Sequence, residues 1–145
     1  LPLKNYKRYK YLLAQILLVC SVVTPLTPEI IDNYKECRSR NEIIISMQEY
    51  IPLFSQYFKK EDLETALRIS WCESRGKPTA VGINKDGSKD VGLWQFNDNT
   101  WDWLKPKLKI TSDRTDVKVS TAVASWLFYN DGSHHWKPSK FCWKK

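Results

Sequence analysis

The stretch EDLETALRISWCESRGKP, residues 61–78, has the pattern of an amphipathic helix with a sharp stop. Glu61 and Asp62 stand where the positive end of a helix dipole favours acids. Leu63, Ala66, Leu67, Ser70, Trp71 and Ser74 recur at intervals of three and four, which places them on one face. Gly76 and Pro78 supply the stop. Glu73 falls near the C-terminal end of this helix. Three, four and seven residues before it are Ser70, Ile69 and Ala66, so its side chain leans over a largely apolar surface. A carboxyl group there loses hydration and faces the negative end of the dipole. Both effects raise its pKa.

Working outward, residues 82–92 are polar and carry Gly82, Gly87 and Gly92, which reads as a loop or short hairpin. A second helix is expected from about Asp116 to Phe128, with Val119, Ala122, Val123, Trp126 and Leu127 inward, ending at Tyr129-Asn130-Asp131-Gly132. Toward the N-terminus, Phe54 to Phe58 is an aromatic stretch and the chain is expected to turn at Ile51-Pro52. Glu29 to Tyr50 reads as helical without a functional signal, and Thr24-Pro25-Leu26-Thr27-Pro28 is a breaker. The fold class expected is mainly α, a helical domain whose short loop or hairpin segment helps to form a groove.

The first residues suggest targeting. Lys4, Lys7, Arg8 and Lys10 precede an apolar run from Tyr11 to Val23, interrupted by Gln15 and Ser21. A basic flank and a short apolar core read as an export signal or short membrane anchor. As a helix, the run spans roughly 20 Å against a hydrocarbon core of about 30 Å. A buried N-terminal helix is the alternative. The division is therefore residues 1–26 as signal peptide or anchor, 27–60 as a helical extension and 61–145 as the domain that carries chemistry.

Composition narrows the partners. Net charge is +7, from 23 Lys and Arg against 16 Asp and Glu, which favours an anionic partner: nucleic acid, a membrane surface or a cell-wall polymer. The basic residues are scattered and match no nucleic-acid recognition motif, so none is expected to bind. Seven Trp and seven Tyr fit either an aromatic core or a carbohydrate cleft, where flat rings stack on sugars. Cys20, Cys37, Cys72 and Cys142 show no metal-ligand spacing. In an oxidising compartment they read as disulfides. Cys72 with Cys142 is the expected pair, and loss of Cys20 with a signal would leave one cysteine odd. His134 and His135, being adjacent, are expected to point apart, and residues 84–88 lack the glycine placement and closing glutamate of a calcium loop. No metal or cofactor is expected.

A carboxylic acid that stays protonated near neutral pH can protonate a leaving oxygen, as glycosidic cleavage requires. The neighbours of Glu73 extend this reading. Glu73-Ser74-Arg75-Gly76, Ala80, Gly92-Leu93-Trp94-Gln95-Phe96, Thr100-Trp101 and Tyr129-Asn130-Asp131-Gly132 occur in the order of three motifs of a known superfamily. Over Asp62 to Trp143 the chain resembles the lytic transglycosylases and goose-type lysozymes. The resemblance implies a lysozyme-like α+β domain that cleaves the β-1,4 bond between N-acetylmuramic acid and N-acetylglucosamine of peptidoglycan, without a cofactor, outside the cytoplasm. By the same resemblance Glu73 is the acid, and Ser74 helps to orient the carboxyl group or the sugar. Gln95 lines the groove and bonds an N-acetyl group, with Trp94 beside it. Tyr129 stands near Glu73 and fixes its rotamer, while Asn130 supports the turn.

Hydrolysis with inversion needs a second carboxylate about 6.5–9.5 Å from the acid. Asp86 and Asp90 are the candidates, and goose-type lysozymes have an aspartate comparable to Asp86. They have another just after Gly-Leu-x-Gln, where this chain has Asn97, an amide that cannot act as a base. Lytic transglycosylases need no such base, because the substrate's 6-hydroxyl attacks and closes a 1,6-anhydro ring. A non-catalytic wall-binding or structural component with the same fold is the alternative.

Overall fold

The computed structural model describes residues 3–144, with side chains from residue 10 onward. The side chains of Lys4, Lys7 and Arg8, read above as the flank of a signal, lie outside the described part. The chain forms α1 (Leu3–Ile16), α2 (Pro28–Ser46), α3 (Ile51–Tyr57), α4 (Leu63–Ser74), β1 (Val81–Ile83), β2 (Lys89–Val91), β3 (Phe96–Asn97), α5 (Asp98–Leu108), α6 (Val117–Asn130) and α7 (Lys140–Trp143). This is the expected mainly helical α+β architecture. The strands form one antiparallel sheet, ordered β1-β2-β3, with Val81 opposite Val91 and Val91 opposite Phe96.

Local signals explain most boundaries. Thr27 caps α2 by accepting from the Ile30 amide, and Asp116 caps α6 by accepting from the Val119 amide. Ile51-Pro52, expected as a turn, begins α3 instead, because proline in a first helical turn loses no intrahelical hydrogen bond. Arg75 closes α4 in the left-handed conformation, and Gly76 follows at φ +74°.

Helix α4 packs against α2, α3 and α7. Its buried face is the expected one, Leu63, Ala66, Leu67, Ser70 and Ser74, with Ile69 added. Trp71 is half-buried, its ring covered by the Arg75 guanidinium at 3.7 Å. On α6 the inward face is rotated toward Thr121, Ala124 and Ser125, alongside Val123 and Leu127. Small polar residues are allowed there because they are bonded: the Ser125 hydroxyl donates to the Tyr57 carbonyl at 2.7 Å.

The N-terminal segment is attached to the rest at several points. Leu12, Leu13, Ile16 and Leu17 pack against the core. The Asn41 side chain donates to the Leu18 carbonyl at 2.8 Å and accepts from the Leu18 amide at 3.1 Å. Arg40 donates to the Ile16 carbonyl and to both carboxylate oxygens of Glu64 on α4. Among the described residues no helix is long and apolar enough to cross a membrane.

All four cysteines are paired. Cys72–Cys142 is the expected bond, and Cys20–Cys37 joins the segment after α1 to α2. The first closes a 70-residue separation, so it removes much conformational freedom from the unfolded chain. Replacing Cys72 and Cys142 together by Ala is expected to lower unfolding free energy by about 2–4 kcal/mol in non-reducing denaturant titrations.

Candidate active site

A groove of about 710 Å³ runs between the sheet and the C-terminal segment. Glu73 projects into it from the end of α4. Asp86, Asp90 and Gln95 line it from the hairpin and the segment that follows, and His135, Ser139 and Phe141 line it from the C-terminal side.

Glu73 is half-buried, and loss of hydration pushes its carboxyl above the ordinary range for glutamate. A hydrogen bond from the Ser139 hydroxyl opposes this shift, and the charge of Asp90 adds to it. The direction agrees with the expectation from the helix, but the larger cause is burial by the tertiary fold. Of the two candidate carboxylates, Asp90 is therefore the one whose field reaches Glu73. It accepts from the Asn97 amide at 2.8 Å across β2 and β3. Asp86 is exposed at the hairpin tip and is held by its own turn. It accepts from the Ser88 hydroxyl at 2.7 Å and the Ser88 amide at 3.0 Å, bonds that keep its carboxyl below the usual range.

Gln95 has a positive φ of 49°, which turns its side chain back under the hairpin. Its amide nitrogen donates to the Ala80 carbonyl at 3.0 Å and the Gly92 carbonyl at 2.9 Å. Both amide hydrogens are thereby used, and Oε1 is what the residue can offer a sugar N–H.

The other expected contacts lie elsewhere. Ser74 is buried, and its hydroxyl faces the carbonyls of Ser70 at 3.1 Å and Leu93 at 2.9 Å. It ties α4 to the Gly92–Gln95 segment. Trp94 borders the groove, yet it is only 1 % exposed: Phe54 and Phe58 stack on its ring and its Nε1 donates to the Thr121 hydroxyl. It is a core residue, of the kind whose truncation costs about 3–5 kcal/mol. Tyr129 stands apart from Glu73, with its hydroxyl donating to Asp62 at 2.7 Å and accepting from the Lys59 amide at 2.8 Å. Asn130 donates to the Trp126 carbonyl at 2.8 Å, steadying the last turn of α6.

Trp136, Pro138, Ser139 and Phe141 line the groove without a functional reading from the sequence, and His135, from which no site role was expected, lines it too. The only signal near them is the tail's run of Trp136, Phe141 and Trp143 around Cys142, which gives no spacing to a distant glutamate. The two adjacent histidines do not point apart. Their rings lie 4.2 Å apart, and both Nε2 atoms approach Asp131 Oδ2, at 3.6 Å from His134 and 2.7 Å from His135. A kinked 3₁₀ segment over Ser133–Ser139 brings them together. Asp131, His134 and His135 thus have their potential metal-ligating atoms within 4.8 Å of one another.

The groove wall is set by Arg114, which donates to the carbonyls of Lys89 at 3.1 Å and Phe96 at 2.8 Å and pairs with Asp98 at 2.6 Å. Its own carbonyl sits against Gly92.

Set beside known families, the chain matches the transglycosylase SLT domain over residues 54–134, more than half its length. It belongs to that family, one of peptidoglycan-cleaving lytic transglycosylases. No curated protein and no solved structure gives a significant match.

Gly92 offers a direct test of how tightly this wall is built. Its φ is +89°, and a methyl group there would lie 2.3 Å from the Arg114 carbonyl oxygen. Gly92→Ala is expected to cost at least about 2 kcal/mol in thermal or denaturant unfolding.

Proposed function

We propose that this protein is an active lytic transglycosylase in which Glu73 protonates the glycosidic oxygen between N-acetylmuramic acid and N-acetylglucosamine. The observation that carries this reading is a half-buried glutamate with a raised pKa, set in a groove large enough for sugar rings. The glycan lies across Gln95, whose Oε1 accepts from an N-acetyl N–H. Phe141, 77 % exposed on the rim, provides an aromatic face for a pyranose ring. Asp86 is occupied by its own turn, which favours attack by the substrate's 6-hydroxyl over activation of water by a second carboxylate there. Asp90 raises the pKa of Glu73 and so helps to keep the proton in place.

The protein works outside the cytoplasm. Two disulfides suit an oxidising compartment, and a net charge of +7 suits anionic wall polymers. The attachments of α1, with Cys20 bonded to Cys37, favour an N-terminal segment that stays with the folded protein.

Glu73→Gln tests the chemistry. General acid catalysis is worth about 10²–10⁴-fold, so turnover of purified peptidoglycan should fall by that much while sedimentation with the wall persists. Undiminished lysis would refute the assignment. Mass spectrometry of the wild-type products should show 1,6-anhydro ends; reducing ends would mean hydrolysis.

The acid must be protonated to act, so activity should fall as pH climbs through the raised pKa of Glu73, above the ordinary carboxylate range. A rate that already declines in that ordinary range would contradict the burial argument. Phe141→Ala should raise KM for glycan by about 3–10-fold with little change in kcat, the size expected for one exposed aromatic contact.

A further inference from the structure

The segment between Trp136 and Trp143 is held at several points. Trp136 is buried and donates from Nε1 to the Trp94 carbonyl at 3.2 Å. Trp143 is also buried, donates to the Trp136 carbonyl at 3.0 Å, and follows the cysteine that is bonded to Cys72. Cys72 immediately precedes Glu73. The tail is therefore tied, one residue away, to the helix end that carries the acid, and Ser139 lies between these two anchor points.

The Ser139 hydroxyl has two neighbours, Glu73 Oε1 and the Trp136 carbonyl oxygen, the latter at 3.1 Å. A hydroxyl owns one hydrogen and can donate to only one of them at a time. A carbonyl oxygen can only accept, whereas a carboxyl group can either accept or donate, according to its protonation. Donation to Glu73 satisfies every atom in both protonation states. With Glu73 protonated on Oε2, that O–H is free for a leaving oxygen, Oε1 accepts from the serine O–H, and the Trp136 carbonyl keeps its bond from Trp143. With Glu73 ionised, the same serine O–H donates to a carboxylate, and the bond becomes charge-assisted and stronger. The two states differ by the proton on Oε2.

We propose that Ser139 is a positioning residue for Glu73: held by the disulfide-anchored tail, it orients the carboxyl group both before and after proton transfer. This role rests on the reading of Glu73 as the acid. Before transfer, the bond to Ser139 fixes the rotamer of the carboxyl group. Once the proton passes from Oε2 to the glycosidic oxygen, the serine hydrogen bond to the new carboxylate strengthens and stabilises the charge left behind. Tyr129, which the family resemblance places beside the acid, is engaged with Asp62 and Lys59. Ser139 fills the position that this leaves open.

The test compares wild type, Ser139→Ala, Ser139→Thr and Glu73→Gln on soluble peptidoglycan fragments, with kcat, KM and the pH profile recorded for each. Loss of a donor to an ionised group should lower kcat of Ser139→Ala about tenfold or more, with KM within about twofold of wild type. The same loss disfavours the carboxylate, so the alkaline limb should move up by about one pH unit. Ser139→Thr keeps the hydroxyl and should restore both values. An unchanged kcat and limb in Ser139→Ala, with Glu73→Gln inactive, would overturn the positioning role alone. So would a kcat loss with an unmoved limb that Ser139→Thr fails to restore, because that pattern belongs to tail packing. Lysis by Glu73→Gln would overturn the functional reading itself. A carboxyl-carbon NMR titration of Glu73 in wild type and Ser139→Ala reads the contact independently of turnover: a pKa that rises on removing the hydroxyl supports it, and an unmoved pKa refutes it.

Discussion

The peptide carbonyls of Leu93 and Trp94 hold the molecule together around its groove. The Leu93 carbonyl accepts from the hydroxyls of both Ser70 and Ser74, which pins this segment to the buried face of α4. The Trp94 carbonyl accepts from Trp136, and the Trp94 indole donates to Thr121, so Trp94 also holds the C-terminal tail and α6. These groups are buried, and each would cost free energy if left without a partner. Satisfying them leaves little freedom in where α4, α6 and the tail stand relative to one another. The groove is the space that remains between them and the sheet.

That arrangement explains why the end of α4 can hold an unusual acid. Glu73 emerges three residues beyond Ser70, and Ser139 of the C-terminal segment reaches its carboxyl group. Burial raises its pKa, Asp90 across the groove works in the same direction, and the Ser139 hydroxyl moderates both. The carboxylates nearer the hairpin tip behave differently because their bonds are local: Asp86 is satisfied by Ser88 two residues away and stays ionised. Two acidic side chains on one groove are thus driven in opposite directions by their surroundings.

Covalent bonds reinforce both ends of this design. Cys72–Cys142 secures the tail against α4 one residue from Glu73, and Cys20–Cys37 secures the N-terminal segment to α2. Arg40 adds a polar clamp, joining the end of α1 to Glu64 on α4. Across residue 61, where the sequence places a boundary, run the Arg40–Glu64 pair and the rings of Phe54 and Phe58, which stack on Trp94.

Periodicity and capping alone located α4 and α6, the hairpin between Gly82 and Gly92, and a glutamate at a helix end over apolar neighbours. These features depend on interactions within a few residues, so their signals are written locally in the chain. The order of the Glu-Ser, Gly-Leu-x-Gln and Tyr-Asn-x-Gly motifs was enough to indicate the family and to point to Gln95 as part of the groove. Which side chains line the groove was decided elsewhere. Ser74, Trp94 and Tyr129 carry the family pattern, yet packing turned the first two into the interior and gave the third to Asp62. Ser139 lies 66 residues from Glu73 in sequence, and no local pattern records their contact. It arises because a kinked 3₁₀ segment and a disulfide return the chain to α4, a path set by long-range packing and bonding.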